Sequence, residues 1–108
     1  MSKNPTAAQR SKKMTNASSG QQCTLEIPGA CIGGTETTVG AHSPLPEDRN
    51  GTKAPDFCLA DACMSCHDYL DRRTTLNGEH ISEEDQRYYF HRGMVRTLAN
   101  RFYRGVIK

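Results

Sequence analysis

Two cysteines, a histidine and an aspartate lie close together in the segment CMSCHDYLD, residues 63–71. The C-x-x-C spacing of Cys63 and Cys66 lets both thiolates bind one tetrahedral zinc ion. His67 and Asp71 are four residues apart, so on a helix they share one face and offer a nitrogen and a carboxylate to a divalent cation. Because successive helical residues point about 100° apart, Cys66 and His67 are not expected to bind the same ion. The segment therefore predicts two separate metal functions.

A second cysteine pair, Cys23 and Cys31, completes the predicted zinc site, which then has four thiolate ligands with Cys63 and Cys66. Seven residues separate Cys23 from Cys31, more than in an ordinary zinc knuckle. Cys58 lies in an apolar run and is predicted to be a small, buried hydrophobic residue. Structural zinc is therefore the predicted cofactor.

The letters CMSCH also match the attachment motif of c-type haem, and the five cysteines could instead form disulfides. Both alternatives require export, whereas the first twenty residues contain no continuous apolar segment of the kind found in signal peptides. Haem would also leave Cys23 and Cys31 without a role. A reducing cytoplasm and bound zinc are therefore favoured over an exported, disulfide-stapled protein, which would contain no stoichiometric zinc.

His42 is a further candidate for chemistry, because it follows a predicted strand and precedes residues 43–56, a loop with three prolines. An exposed imidazole at such a position could deprotonate a water molecule for attack on phosphorus. The non-functional alternatives are a structural His42 and a simple i, i+4 hydrogen bond between His67 and Asp71.

The formal net charge of +2 conceals an uneven distribution along the chain. Four basic residues and no acidic residue precede Cys23, and nine acidic residues meet four basic ones between Cys23 and Ile81. From Ser82 onward, six basic residues meet three acidic ones. A cation-binding centre between basic ends suits a protein that brings metal to a polyanion, although ordinary solvated charge explains the pattern equally well.

The elements that must position these residues follow from the pattern of apolar residues, which make up only 35% of the chain and leave a thin core. Strands are predicted at residues 23–27 and 39–42, and an extended segment at 57–62 leads into a helix over 64–73. Residues 1–21 contain no apolar periodicity and are predicted to be a flexible basic tail, ahead of one domain at residues 22–108. No membrane span is predicted.

Ser82 is a suitable N-cap for a last long helix that ends near Gly105. Its apolar stripe is predicted to comprise Phe90, Met94, Leu98 and Phe102, which suits either a core or a dimer interface. Its basic surface is predicted to comprise Arg87, His91, Arg92, Arg96 and Arg101.

The order of these motifs resembles that of the HNH, or ββα-metal, nucleases, and in particular the small prophage-encoded proteins of the YbcO-like family. The similarity extends from Cys23 to Lys108 and is carried by the segments CTLEIPGAC, TTVGAH, GTKAPD, ACMSCHDYLDRRT and GVIK. That family is described as nuclease-like chiefly by its fold. The expected fold is α+β: a small zinc-stabilised ββα-metal (HNH, treble-clef-like) domain with an added C-terminal helix.

The resemblance also implies roles for single residues. His42 matches the histidine that closes the first strand and acts as general base. His67, directly after C-x-x-C, matches a ligand of the catalytic cation, and Asp71 matches a further ligand four residues later. Asp56 is the nearest match to the asparagine that orients the base.

Ala41 departs from the family pattern, because the residue before the base is commonly an acid or histidine that also binds the metal. The cation would then have fewer protein ligands, gain one such as Asp48 from the loop, or be absent. The predicted function is metal-dependent hydrolysis of nucleic-acid phosphodiester bonds, with DNA as the favoured substrate and Mg²⁺ or another divalent cation as catalytic metal. A non-catalytic zinc module that binds DNA or a phage or host protein is the alternative. Backbone phosphates are expected to contact Arg72, Arg73, Arg92 and Arg96.

Overall fold

The computed structural model describes residues 11–49 and 54–107. Its elements are α1 (Lys12–Asn16), β1 (Val39–His42), a short 3-10 helix (Pro46–Asp48), β2 (Leu59–Ala62), α2 (Met64–Leu70) and α3 (Glu83–Tyr103). The predicted α+β class is confirmed, as is the strand at residues 39–42. Within the described ranges, no helix combines the length and the apolar character needed to cross a bilayer.

β1 and β2 form a two-stranded antiparallel sheet in the centre of the molecule. Val39 pairs with Ala62 and His42 pairs with Leu59, so Cys63 and His42 lie at opposite ends of the sheet. All four residues of β2 are buried, as expected for an apolar run covered on both faces. The sheet therefore separates the start of α2 from the end of β1.

α3 packs against β2 with a face that overlaps the predicted stripe in part, because Phe90 is buried and Met94 packs against the core. Ser82 caps the helix as predicted, because its hydroxyl accepts a hydrogen bond from the Asp85 N–H at 3.0 Å. Residues spaced every four positions drift around a helix of 3.6 residues per turn, so the predicted stripe is wrong at Phe102, which is 66% exposed. The buried face comprises Gln86, Phe90, Gly93, Thr97 and Arg101.

Gly93 marks the closest approach of α3 to the rest of the protein. A Cβ atom at this position would lie 2.6 Å from Cδ2 of Leu25 and 3.1 Å from Cβ of Ala60. Beside it, Thr97 accepts a hydrogen bond from the Asp61 N–H at 2.9 Å. The small and polar residues of α3 thus fix the helix on β2.

The segment 23–27 is not a strand, although its burial alternates as predicted. Cys23, Leu25 and Ile27 are buried, whereas Glu26 has a positive φ of 47° that breaks the extended backbone. The Arg92 side chain donates to the Leu25 carbonyl at 2.7 Å. Side-chain donors from α3 therefore take the place of a partner strand, which is why alternation alone mispredicts the backbone.

The predicted tail is also partly wrong, because residues 12–16 form α1 and Met14 is buried. Arg101, predicted to be exposed, is fully buried. It donates to both carboxylate oxygens of Asp61 at 2.8 and 3.1 Å, to Ser18 Oγ at 2.8 Å and to the Met14 carbonyl at 3.2 Å. One buried guanidinium therefore joins α3, β2 and the α1 region. Residues 1–10 of the predicted tail, and residues 50–53 of the predicted loop, lie outside the described residues.

Candidate functional site

The four cysteines predicted to bind zinc form one compact cluster. The Sγ atoms of Cys23, Cys31, Cys63 and Cys66 all lie within 4.8 Å of one another. Three of these side chains are buried, and Cys31 is half-buried. Four thiolates at Zn–S distances of about 2.3 Å would place their sulfurs about 3.8 Å apart, so this donor set could hold a zinc ion with small adjustments. All five cysteines of the chain are free thiols, and Cys58 is half-buried rather than buried.

Local turns bring the first cysteine pair together despite its long spacing. Pro28 and Gly29 turn the chain, and the positive φ of 84° at Gly29 is a conformation that glycine adopts without strain. The Cys31 N–H then donates to the Ile27 carbonyl at 2.9 Å. Cys63 is the N-cap of α2, and its sulfur accepts a weak hydrogen bond from the Cys66 N–H at 3.4 Å.

The thiols of the cluster are electrostatically coupled. A hydrogen bond from the Cys66 thiol lowers the pKa of Cys23 to about 5, and the same hydrogen bond raises the pKa of Cys66. Burial raises the pKa of Cys31. These opposite shifts arise because the two sulfurs lie within hydrogen-bonding distance, which is also the closeness that two ligands of one metal ion need.

A second site is a cavity of about 710 Å³ whose lining includes none of the four clustered cysteines. It brings together three of the four residues predicted to carry the chemistry, because His42, His67 and Asp71 line it, whereas Asp56 does not. His42 comes from the end of β1, whereas His67 and Asp71 come from α2 and its C-cap. Glu83 and Gln86 of α3 form another part of the wall.

His42 is held by Asp56 across the loop. Its Nε2 lies 2.8 Å from Asp56 Oδ1, and Asp56 is buried. An ionised carboxylate can only accept hydrogen bonds, so in the neutral imidazole this contact assigns the proton to Nε2 and leaves Nδ1 as the unprotonated ring nitrogen. Across the residues that the structure describes, Nδ1 has no protein hydrogen-bond partner. This arrangement leaves a basic nitrogen at the cavity.

His67 and Asp71 form the second pair, with 3.2 Å between Nε2 and Oδ2. Two ligands at right angles on an octahedral cation, at about 2.1 Å each, lie about 3.0 Å apart, so this spacing fits two ligands of one cation. Among residues 11–49 and 54–107, the cysteines form the one group of three or more metal-binding side chains within reach of a common ion. Ala41 is fully buried, and Asp48 accepts a hydrogen bond from Ser43 Oγ at 2.6 Å. The described residues therefore provide two ligands at this site.

The four arginines predicted to contact phosphates lie in different places. Arg72 lines the cavity and donates from Nε to the Ile81 carbonyl at 3.2 Å. Arg73 instead forms ion pairs with Asp68 and Asp71. Arg92 and Arg96 hold the segment 23–27, and neither lines the cavity.

Sequence patterns missed two other residues of the cavity. Arg49 lines the wall near His42, but a lone arginine in a proline-rich loop carries no periodic signal. Gln86 was hidden in the polar first turns of α3, although its side chain is buried and donates to the Leu70 carbonyl at 2.8 Å. Gln86 thereby ties the end of α2 to α3 at the cavity wall.

Similarity to known proteins extends over nearly the whole of this architecture. The family model described as "Putative nuclease YbcO" matches residues 12–106, including α1. The protein of that name from Escherichia coli strain K12 is 38% identical over 96 residues, which are 88% of this chain and 96% of that protein. A protein of the same name from Enterobacteria phage 82 has the same identity and coverage. A solved structure of a "putative bacteriophage protein" from Escherichia coli K-12 MG1655 matches with a TM-score of 0.68 and 35% identity, over 84% of this chain and 98% of that one.

Proposed function

The chain belongs to the family described as "Putative nuclease YbcO", and on that premise we propose that it is an HNH-type (ββα-metal) nuclease that hydrolyses phosphodiester bonds, with DNA as the favoured substrate. The supporting observation is that His42, His67 and Asp71 line one cavity, apart from a cluster of four cysteines. β1, β2 and α2 supply the ββα unit of this proposal. A reducing cytoplasm, where thiols persist, is part of it.

In the proposed reaction His42 is the general base. Its Nδ1 accepts a proton from a water molecule, whose oxygen forms a bond to phosphorus as the bond to the leaving oxygen breaks. Asp56 accepts the hydrogen bond from Nε2 and stabilises the imidazolium that results. His67 and Asp71 would hold a divalent cation such as Mg²⁺, which when bound would stabilise negative charge on the phosphate and on the leaving oxygen. The cysteine cluster would hold structural zinc.

Arg72 is the arginine best placed to orient the substrate phosphate. Its Nε is tied to the Ile81 carbonyl, which fixes the stem of the side chain while the terminal amino groups can reach a phosphate. Its φ of 62° is unusual for a residue other than glycine and costs of order 1–3 kcal/mol. Such strain is typical of functional sites. Arg49, on the same cavity wall, supplies a second positive charge.

A cleavage assay with matched histidine variants tests the proposal. Wild-type protein with Mg²⁺ or Mn²⁺ is expected to nick supercoiled plasmid, and His42→Ala is expected to lower the rate about 10²- to 10⁴-fold, the usual contribution of a general base. His80→Ala is the control, because His80 is exposed and does not line the cavity. Equal rates for His42→Ala and wild type, with unchanged zinc content, would exclude His42 as the base.

A non-catalytic zinc module is the second candidate, and the buried Ala41 favours it. With Ala41 in the core, the residue before His42 provides no ligand, so the cation has two protein ligands among the described residues. This candidate predicts no cleavage by wild type with any divalent cation, together with DNA binding in a gel-shift assay. Cleavage that depends on both His42 and an added cation would rule it out.

A further inference from the structure

The carboxylate of Asp56 joins two parts of the chain that are far apart in sequence. Oδ1 lies 2.8 Å from Nε2 of His42. Oδ2 accepts a hydrogen bond from the backbone N–H of Ser11 at 2.6 Å, across 45 residues. Asp56 is buried whereas His42 and Ser11 are half-buried, so these hydrogen bonds are partly shielded from water and are stronger than they would be at the surface.

We propose that Ser11 is a positioning residue for the reaction: its backbone N–H orients the Asp56 carboxylate, which keeps His42 in the tautomer with the proton on Nε2. This inference rests on the proposed role of His42 as general base. The terminal torsion of an aspartate side chain is broad, so hydrogen bonds rather than rotamer preference must fix the plane of the carboxylate. With Oδ2 held by Ser11, Oδ1 stays directed at Nε2, and Nδ1 stays available at the cavity.

The position of Ser11 is itself fixed by the protein core. Ser11 is the N-cap of α1, and its Oγ accepts a hydrogen bond from the Met14 N–H at 3.2 Å. Met14 is buried, and its carbonyl accepts a hydrogen bond from Arg101. Ser18, after the helix, is held by the same guanidinium at 2.8 Å. The donor that faces Asp56 is therefore anchored at both ends of α1.

Two proline substitutions, one residue apart, test this role. Ser11→Pro removes the N–H that faces Asp56 and also the Oγ that accepts from the Met14 N–H, and Ser11→Ala, which loses only that hydroxyl, separates the two losses. Lys12→Pro is the matched control, because Lys12 is exposed and occupies the first helical position, where proline is favoured and no hydrogen bond is lost. Ser11 already has the extended backbone, φ −154° and ψ 104°, that a following proline requires.

The first readout is the tautomer of His42, measured by ¹⁵N NMR of the imidazole at a pH where the ring is neutral. Wild type and Lys12→Pro are expected to show the proton on Nε2, and Ser11→Pro a mixture of both tautomers. An unchanged tautomer in Ser11→Pro would overturn the proposal. This measurement needs no cleavage, so a protein that cleaves nothing would refute the nuclease function and leave the positioning role open to the same test.

The second readout is the rate of cleavage. Ser11→Pro is expected to lower kcat about 10- to 100-fold with little change in KM, because a misplaced catalytic group slows the chemical step more than it weakens substrate binding. An equal change in kcat for both proline variants would contradict a specific role for the Ser11 N–H.

A third measurement does not depend on how well the Ser11→Pro variant folds. In Asp56→Asn the hydrogen bond from Ser11 loses its charge-assisted character, so the Ser11 amide proton is expected to move upfield, and farther than the amide protons elsewhere in α1. An unchanged Ser11 amide resonance would show that the contact is absent in solution and would overturn the proposal.

Discussion

The cysteine cluster and the histidine cavity share α2 but differ in how complete their ligand sets are. In the cluster, four sulfurs converge within 4.8 Å, which is enough ligands to complete a tetrahedral zinc site. In the cavity, His67 and Asp71 present two ligand atoms with side chains 23% and 27% exposed. Structural metal sites are closed and catalytic sites keep open positions, so the two ends of one short helix suit two different tasks.

The comparison also concerns what each region does for stability. The cluster is part of the hydrophobic core, with Cys23, Cys63 and Cys66 among its buried residues. The cavity residues His42, His67 and Asp71 are half-buried and lie outside that hydrophobic core. Substitutions in the cluster should therefore unfold the protein, whereas substitutions in the cavity should change its chemistry and leave the fold intact.

The largest expected effect follows from removing one ligand of the cluster. Cys66→Ser is expected to lose stoichiometric zinc and with it about 10 kcal/mol or more of folding free energy, since structural zinc binding is coupled to folding. Zinc content by mass spectrometry and circular dichroism measure the two losses. Cys58→Ser is the control, because Cys58 lies outside the cluster. A Cys66→Ser variant with one zinc per chain and an unchanged melting temperature would show that Cys66 is not a ligand of a structural zinc ion.

The next largest effect is expected at the buried ion pair, which stabilises the fold without a metal. Arg101→Ala leaves Asp61 buried without its charged partner and is expected to cost about 3–5 kcal/mol in urea unfolding. Arg104→Ala, one turn further at an exposed position, should change stability by less than about 1 kcal/mol. Equal stabilities for the two variants would show that the buried ion pair contributes little to the stability of the fold.

A smaller effect is expected where α3 touches the segment that carries Cys23. Gly93→Ala gains about 1 kcal/mol of helix propensity, but its Cβ meets Leu25 and Ala60, and such overpacking costs about 1–3 kcal/mol. Because Ala60 lies in a buried strand and cannot move aside, we expect net destabilisation. Ala99→Gly, at an exposed site of the same helix, measures the propensity alone. A more stable Gly93→Ala would mean that α3 can move away from β2.

The smallest effect on stability is expected in the cavity. His67→Ala removes a partly exposed contact between Nε2 and the Asp71 carboxylate and should change unfolding free energy by less than about 1 kcal/mol, with zinc content unchanged. Mn²⁺ binding, followed by electron paramagnetic resonance, should weaken, whereas His91→Ala at an exposed position of α3 should leave it unchanged. Loss of zinc from His67→Ala would show that His67 is needed for zinc binding, and the two sites would then not be independent.

Spacing in sequence predicted the parts of both sites that local geometry determines. Helical geometry turns Cys66 and His67 about 100° apart, and in the structure Cys66 belongs to the cysteine cluster whereas His67 and Asp71 line the cavity. The predicted helix over 64–73 ends earlier, at Leu70, because Asp71 caps it and Arg72 adopts a positive φ. No local sequence pattern predicts the positive φ of Arg72.

The remaining features depend on contacts between distant segments. The sequence predicts Arg101 to be a surface residue, whereas in the structure its guanidinium binds Asp61 and Ser18. From helix propensity alone, Gly93 is expected to destabilise α3, whereas in the structure the absence of a side chain lets Leu25 pack against the helix at this position. At both positions a tertiary contact overrides the intrinsic preference of the residue type for exposure or for helix. The pattern of a single sequence does not contain these contacts.

The reach of Arg101 has a consequence for the time at which the molecule becomes active. Arg101 holds the Met14 carbonyl across 87 residues, so α1 can dock only after nearly the whole chain has left the ribosome. If Ser11 aligns Asp56 and His42 as proposed, a nascent chain would carry an unaligned base until its last helix is made. On the proposed function, an incomplete translation product would then lack an aligned base and could not cleave nucleic acid.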